Sequence, residues 1–160
     1  MKIFNARMAT LILTLLALLP LASHAQLADR KMLTDEAVKN IMAAAEAEAR
    51  ANNWNVVIAI VDDGGHLLSL QRLSNTQTGS IGAAIGKART SAAFRRPSLV
   101  FHNMLPDAAA FLTIDDNLVL MEGGEPIIVD GQTLGAVGVS GVTASQDAQI
   151  ARAGIAGLNP

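Results

Sequence analysis

The chain has 160 residues and a formal charge of −2, so it lacks the basic footprint of a nucleic-acid binder. It contains no cysteine, which excludes disulfides, thiolate chemistry and cysteine metal ligands. Apolar residues make up 51% of the chain and aromatic ones only 3%, so the apolar fraction comes largely from Ala, Val, Leu and Ile.

Lys2 and Arg7 precede an almost wholly apolar run over residues 8–19, followed by Pro20 and the small-residue site Ser23-His24-Ala25. This is the pattern of a cleaved signal peptide over residues 1–25, and the run falls short of the roughly 20 apolar residues that span a membrane. The mature chain, residues 26–160, is read as a single domain, periplasmic or secreted, with no membrane association once the signal is gone. Removing Lys2 and Arg7 from the 12 basic residues leaves ten against 14 acidic ones, a formal charge of −4. A domain of that length buries a substantial core.

Thr34 is placed to cap a helix with Asp35 and Glu36 in its first turn, and Val38, Ile41, Met42, Ala45 and Ala49 recur at helical spacing up to Asn52-Asn53. Residues 56–61 are a compact β-branched run read as a buried strand. Asp62-Asp63-Gly64-Gly65 supplies a turn, and residues 66–70 return as a second strand. Ile81, Ile85, Ala88 and Ala92 mark another helix, with Gly82 and Gly86 allowing close approach of a second backbone, and Arg95-Arg96-Pro97 ends it. Ser98 opens a short helix to Met104, stopped by Pro106. Residues 111–121 are ambiguous, with 117–121 suited to a strand.

Residues 126–129 and 133–139 flank Asp130-Gly131, a signal for a type I′ hairpin. Gly135 and Gly138 within the second strand imply that another backbone comes close, or alternatively a ligand. Ser140-Gly141 then leads into a last helix over about residues 145–156, an arrangement whose free N–H groups can hold an anion. The glycine spacing matches neither the dinucleotide fingerprint nor a P-loop. Strands joined by tight turns, with helices clustered on them, predict an α+β fold with an antiparallel sheet.

Four blocks make the chain resemble the GlcG/HbpS family of small heme-binding proteins, also called the haem-degrading domain family. They are LTDEAVKNIMAAAEAEA with VVIAIVDDGGHLLSLQRL, then KARTSAAF (residues 87–94), GGEPIIVDGQTLGAVGVSG (123–141) and SQDAQIARAGI (145–155). The resemblance implies a profilin-like fold with a five-stranded antiparallel sheet, a homo-oligomer, and heme as cofactor. Heme degradation or heme and redox sensing are the roles it implies. The chain departs from the family at Leu73-Ser74-Asn75-Thr76, where many members have an acidic turn.

Heme iron is usually held by His, Cys, Met or Tyr, and beyond residue 25 this chain offers no Cys or Tyr and only His66 and His102. His66, beside the glycine turn, is the first candidate for iron, and His102 the second. Met32, Met42, Met104 and Met121 read as core filler. Lys87 and Arg89, with Ser140 and Gly141, are candidates for the carboxylate end of the ligand, whereas Arg95 and Arg96 read as a solvated helix face. A second reading is a cofactor-free enzyme or accessory protein acting on a small organic acid, with Glu125 or Asp130 as acid/base and the glycine loop as anion site. A third is an oligomeric scaffold or sensor. No nucleophile–base–orienter set stands out, which argues against a hydrolase.

Overall fold

The computed structural model describes residues 30–158; the signal peptide read over residues 1–25 lies outside the described residues. Helix α1 (Asp35–Ala51) begins as the sequence predicts. The Thr34 side chain accepts the Ala37 N–H at 3.2 Å, acidic residues fill the first turn and Arg50 stands in the last, so both ends complement the helix dipole. Strands β1 (Val57–Asp62) and β2 (Leu67–Arg72) form the first hairpin. Helix α2 (Gly79–Phe94), the short α3 (Leu99–Asn103) and a 3-10 segment (Asp107–Thr113) follow. Strands β3 (Gly124–Val129) and β4 (Gln132–Ser140) and helix α4 (Ala144–Ala156) complete the chain.

All strand pairs are antiparallel, in the order β2-β1-β4-β3. The β3–β4 turn has φ of 48° at Asp130 and 76° at Gly131, the pair of left-handed residues that a type I′ hairpin requires. Ile58, Ile60, Val137 and Val139 face α1 and α4, where Ile41, Ala45 and Ile150 close the main core. On the opposite face Val57, Ala59, Val61 and Ala136 meet Ala84, Ala88 and Ala92 of α2. Because helices cover both faces, β1 is buried from Val57 to Val61, which is why it reads as a continuous apolar run rather than an alternating one.

Two strand glycines, Gly124 and Gly138, make room for α2, whereas a Cβ at Gly135 would stand 2.1 Å from the Val61 carbonyl oxygen of β1. A Cβ at Gly138 would stand 2.1 Å from the Ala84 carbonyl oxygen, and one at Gly124 would stand 2.2 Å from that of Lys87. The close neighbour is therefore another backbone, that of α2 for Gly124 and Gly138 and that of β1 for Gly135, not a ligand.

The sheet has four strands among the described residues, which corrects the expected five. Residues 117–121 form no strand. Val119 instead donates its N–H to the Thr90 hydroxyl of α2 at 3.0 Å, and its side chain fills the space that a Cβ on Gly86 would need. This segment is tied to a helix side chain rather than to a strand neighbour. Phe94, Phe101 and Phe111 pack together with ring centroids 4.8–5.4 Å apart and, with Ala108, Leu118 and Leu120, anchor the chain between α3 and β3 to the end of α2.

Candidate functional site

The β1–β2 turn mounts a histidine. Asp62 Oδ1 accepts the N–H of Gly64 at 2.9 Å and that of His66 at 2.8 Å, an Asx turn closed by the strand's own last residue. Asp62 Oδ2 lies 3.3 Å from His66 Nδ1. The His66 side chain is 83% exposed, so with Nδ1 facing Asp62 the second ring nitrogen, Nε2, stays open.

Burial pushes the Asp62 carboxyl up. Hydrogen bonds from the His66 backbone and ring, the charge of that ring and the Gly64 N–H outweigh it and hold the group below 3.8. A depressed carboxyl stabilises the fold fully above its unfolded value and stops doing so as pH falls through the folded one. Protection of the Gly64 and His66 amides against hydrogen exchange is therefore expected to hold down to about pH 4 and to fall below it. In Asp62→Asn, which keeps an acceptor without a titrating charge, protection is expected to show no such step.

His66, Gly64 and Gly65 form one wall of a cleft of about 240 Å³. Helix α2 contributes Arg89 and Ala93, and the segment before β3 contributes Asp115, Asn117 and Leu118. Arg89 is half-buried and donates through Nε to the Gly65 carbonyl at 3.2 Å, which leaves its two terminal nitrogens for an anion. The Asn117 backbone and side-chain N–H groups, both 2.8 Å from Asp115 Oδ1, hold the Asp115 carboxyl below its ordinary value, and Arg89 adds to the effect. Sequence reasoning missed Asp115 and Asn117. The only signal was a polar Asp-Asp-Asn run inside the ambiguous stretch.

The structure brings His66 and Arg89 together and places the other candidates elsewhere. Lys87 is 2% exposed, and its ammonium donates to Asp147 at 2.8 Å and to the Val139 carbonyl at 3.0 Å. Burial pushes the Asp147 carboxyl up against the pull of Lys87 and of the Val142 and Gly141 N–H groups. The anion at the glycine loop is thus the chain's own carboxylate. Gly141 packs on the Asn55 carbonyl, and Ser140 donates to the Ser80 hydroxyl at 3.4 Å.

His102 accepts the Glu122 N–H through Nδ1 at 3.3 Å. Glu125 receives a 2.7 Å bond from Arg152; burial raises its carboxyl, Arg152 opposes this and Glu122 adds to it. Asp130, at the hairpin tip, pairs with Lys31, which lowers its carboxyl. Met42 is core filler as expected, but Met32, Met104 and Met121 are exposed. Arg95 and Arg96 are exposed, with Arg95 ending α2 in the left-handed region at φ 54°. No group of three or more His, Asp or Glu among the described residues is placed to hold a metal ion.

A family model described as "Haem degrading protein HbpS-like" matches residues 33–156. The chain belongs to the HbpS-like family. The match spans all four strands and all four helices. Protein GlcG of Escherichia coli K12 is 42% identical over 109 residues, covering 68% of this chain and 81% of GlcG. An uncharacterised 15.0 kDa protein from the dhaT-dhaS intergenic region of Citrobacter freundii is 34% identical over 123 residues, covering 74% and 87%. Among solved structures, a double mutant of HbpS from Streptomyces reticuli superposes with a TM-score of 0.78 at 28% identity, covering 89% of this chain and 98% of that one. A PduOC:heme complex does so at 0.76 and 25%, covering 81% and 96%.

In this HbpS-like chain the turn at residues 73–76 is held by its own hydrogen bonds and by the Val56 carbonyl, which accepts from the Leu73 N–H at 3.0 Å and the Thr76 hydroxyl at 3.2 Å. The buried Thr76 hydroxyl donates to the Leu73 carbonyl at 2.8 Å, and Arg72 Nε donates to the Thr76 carbonyl at 3.0 Å. Leu73 and Ser74 line a different cleft, beside Trp54.

Proposed function

We propose that the chain is an exported heme-binding protein whose site is the cleft between the β1–β2 turn and α2. His66 would hold the iron and Arg89 would pair with a propionate. One observation carries this reading: an exposed imidazole with Nδ1 engaged and Nε2 open shares a small cleft with a half-buried guanidinium that has donors to spare. His102 is less suited. Its Nδ1 accepts a backbone N–H, which puts the proton of the neutral ring on Nε2 and removes the lone pair a metal would need there. The heme named in the PduOC complex and the haem-degrading description of the family support the same ligand class.

The cleft, at about 240 Å³, is smaller than the roughly 300–1,000 Å³ pockets that enclose drug-sized ligands. A heme would therefore not be enclosed by this cleft alone, which fits the expected homo-oligomer. Bound heme supplies redox and oxygen chemistry, whether used for degradation or for sensing. The chain's own residues supply ligation, orientation and charge pairing.

Hemin titration of the purified protein, followed at the Soret band, tests the reading. Saturable binding is expected for wild type and for His102→Ala, weaker binding for Arg89→Ala, and loss of the saturable phase for His66→Ala. A non-saturating titration, or one unchanged in His66→Ala, overturns it. Disappearance of the heme spectrum on adding ascorbate would separate degradation from storage or sensing.

A further inference from the structure

The mount beneath His66 is more specific than ligation alone requires. Asp62 is the last residue of β1, where pairing with Gly135 of β4 fixes its backbone. Its Oδ1 accepts from the turn's own N–H groups, and both carboxylate oxygens lie 3.3 Å from the ring's Nδ1. The imidazole lies over Gly64, where an added Cβ would stand 2.9 Å from both Nδ1 and Cε1. Gly64 does not adopt a left-handed φ, so the backbone does not itself demand glycine there; the ring does. An anionic acceptor at Nδ1 and a missing side chain under the ring are independent features that hold the same imidazole.

An acceptor at Nδ1 places the neutral ring's proton on that nitrogen and leaves the Nε2 lone pair free. Carboxylate–histidine pairs at metal centres raise ligand basicity in this way. A more basic axial nitrogen favours ferric over ferrous iron, since hydrogen bonding to the axial ligand is one of the protein's controls on heme potential. We propose that Asp62 and Gly64 are positioning residues for His66: Asp62 fixes its tautomer and strengthens Nε2 as a donor, and Gly64 leaves the space in which the ring lies. The consequences at iron rest on His66 being the heme ligand, whereas the tautomer and the ring position do not.

The test uses ¹⁵N-labelled wild type, Asp62→Asn, Gly64→Ala and His66→Ala, the last assigning the His66 ring signals. In the ligand-free protein at about pH 8.5, where an ordinary imidazole is neutral, wild type is expected to show the Nδ1–H tautomer and ring contacts to the Gly64 α protons. Asp62→Asn keeps an oxygen for the two turn N–H groups but removes the charge at Nδ1, and a tautomer mixture is expected. Gly64→Ala meets the His66 ring at 2.9 Å and, less tightly, Asp62 Oδ1 at 3.3 Å, both of them side-chain atoms, so the fold is retained while the ring moves.

With hemin, both variants are expected to bind roughly 10–100-fold more weakly than wild type. The ferric/ferrous potential of Asp62→Asn is expected to move positive. A tautomer mixture or an Nε2–H ring in wild type overturns the role of Asp62, and absent ring contacts overturn that of Gly64. Unchanged affinity and potential in both variants, with binding lost in His66→Ala, overturn positioning while leaving the ligand reading intact. Full binding by His66→Ala sinks the ligand reading instead, and the ligand-free spectra still decide the two positioning roles.

Discussion

Lys87→Met is expected to cost about 3–5 kcal/mol of folding stability, because it leaves the Asp147 carboxylate buried without its cation. Both side chains are 3% exposed, with the ammonium 2.8 Å from the carboxylate. Lys87 lies in α2 and Asp147 in the first turn of α4, so the bond ties the helices of opposite sheet faces around Gly123. A Cβ on that glycine would stand 2.8 Å from the ammonium and 2.9 Å from the Asp147 Cβ, so the pair also fills the space at the start of β3.

Burial already pushes the Asp147 carboxyl up in the presence of Lys87, and removing the cation pushes it further. The folded variant then holds a proton that the unfolded chain has released, so its stability rises as pH falls. The deficit relative to wild type is expected to be smaller at pH 5 than at pH 8. Urea unfolding at the two pH values measures it. Lys87→Met combined with Asp147→Leu is expected to recover most of the loss, since exchanging a buried ion pair for apolar groups is often neutral. Equal stability of Lys87→Met and wild type at pH 8 would show that the pair contributes nothing.

Gly138→Val is expected to cost at least about 3 kcal/mol, the upper end for overpacking a closed core. The atoms that a new Cβ meets are the Ala84 carbonyl oxygen at 2.1 Å and the Ala88 nitrogen at 2.5 Å. Both are helix backbone, which can yield only if α2 lifts from the sheet. That movement would also strip α2 from Val57, Ala59 and Val61. Gly82→Ala in the same helix is the control: nothing lies within 4 Å of its added Cβ, and a gain of about 0.5–1 kcal/mol is expected from helix propensity. Urea midpoints read both, and a Gly138→Val protein as stable as wild type would refute the close helix contact.

Glycines of similar appearance in the sequence thus differ in role. Gly86 and Gly138 are contact points, Gly64 lies under a ring, Gly131 serves a turn, and Gly82 has open space around it. Sequence reasoning recognised that small residues permit close approach but could not say to what. The answer for Gly138 lies in a helix about 50 residues earlier in the chain, at Ala84 and Ala88.

What the sequence by itself determined was set by forces acting over a few residues. Thr34 caps α1 through the N–H three positions on, Asp130-Gly131 turns within the hairpin, and the apolar run of β1 announces burial on both faces. The order of the four blocks likewise carried the family, and the scarcity of other iron-ligating residue types singled out His66 as a candidate. Only the tertiary structure decided which charges meet. Lys87 neutralises Asp147 across 60 positions, Arg89 reaches Gly65 across 24, and Thr90 holds Val119 across 29, which turned an expected fifth strand into a loop. The physical reason is that a side chain's charge is written in its own residue. Whether that charge is buried, paired or free for a ligand depends on atoms that folding brings from elsewhere in the chain.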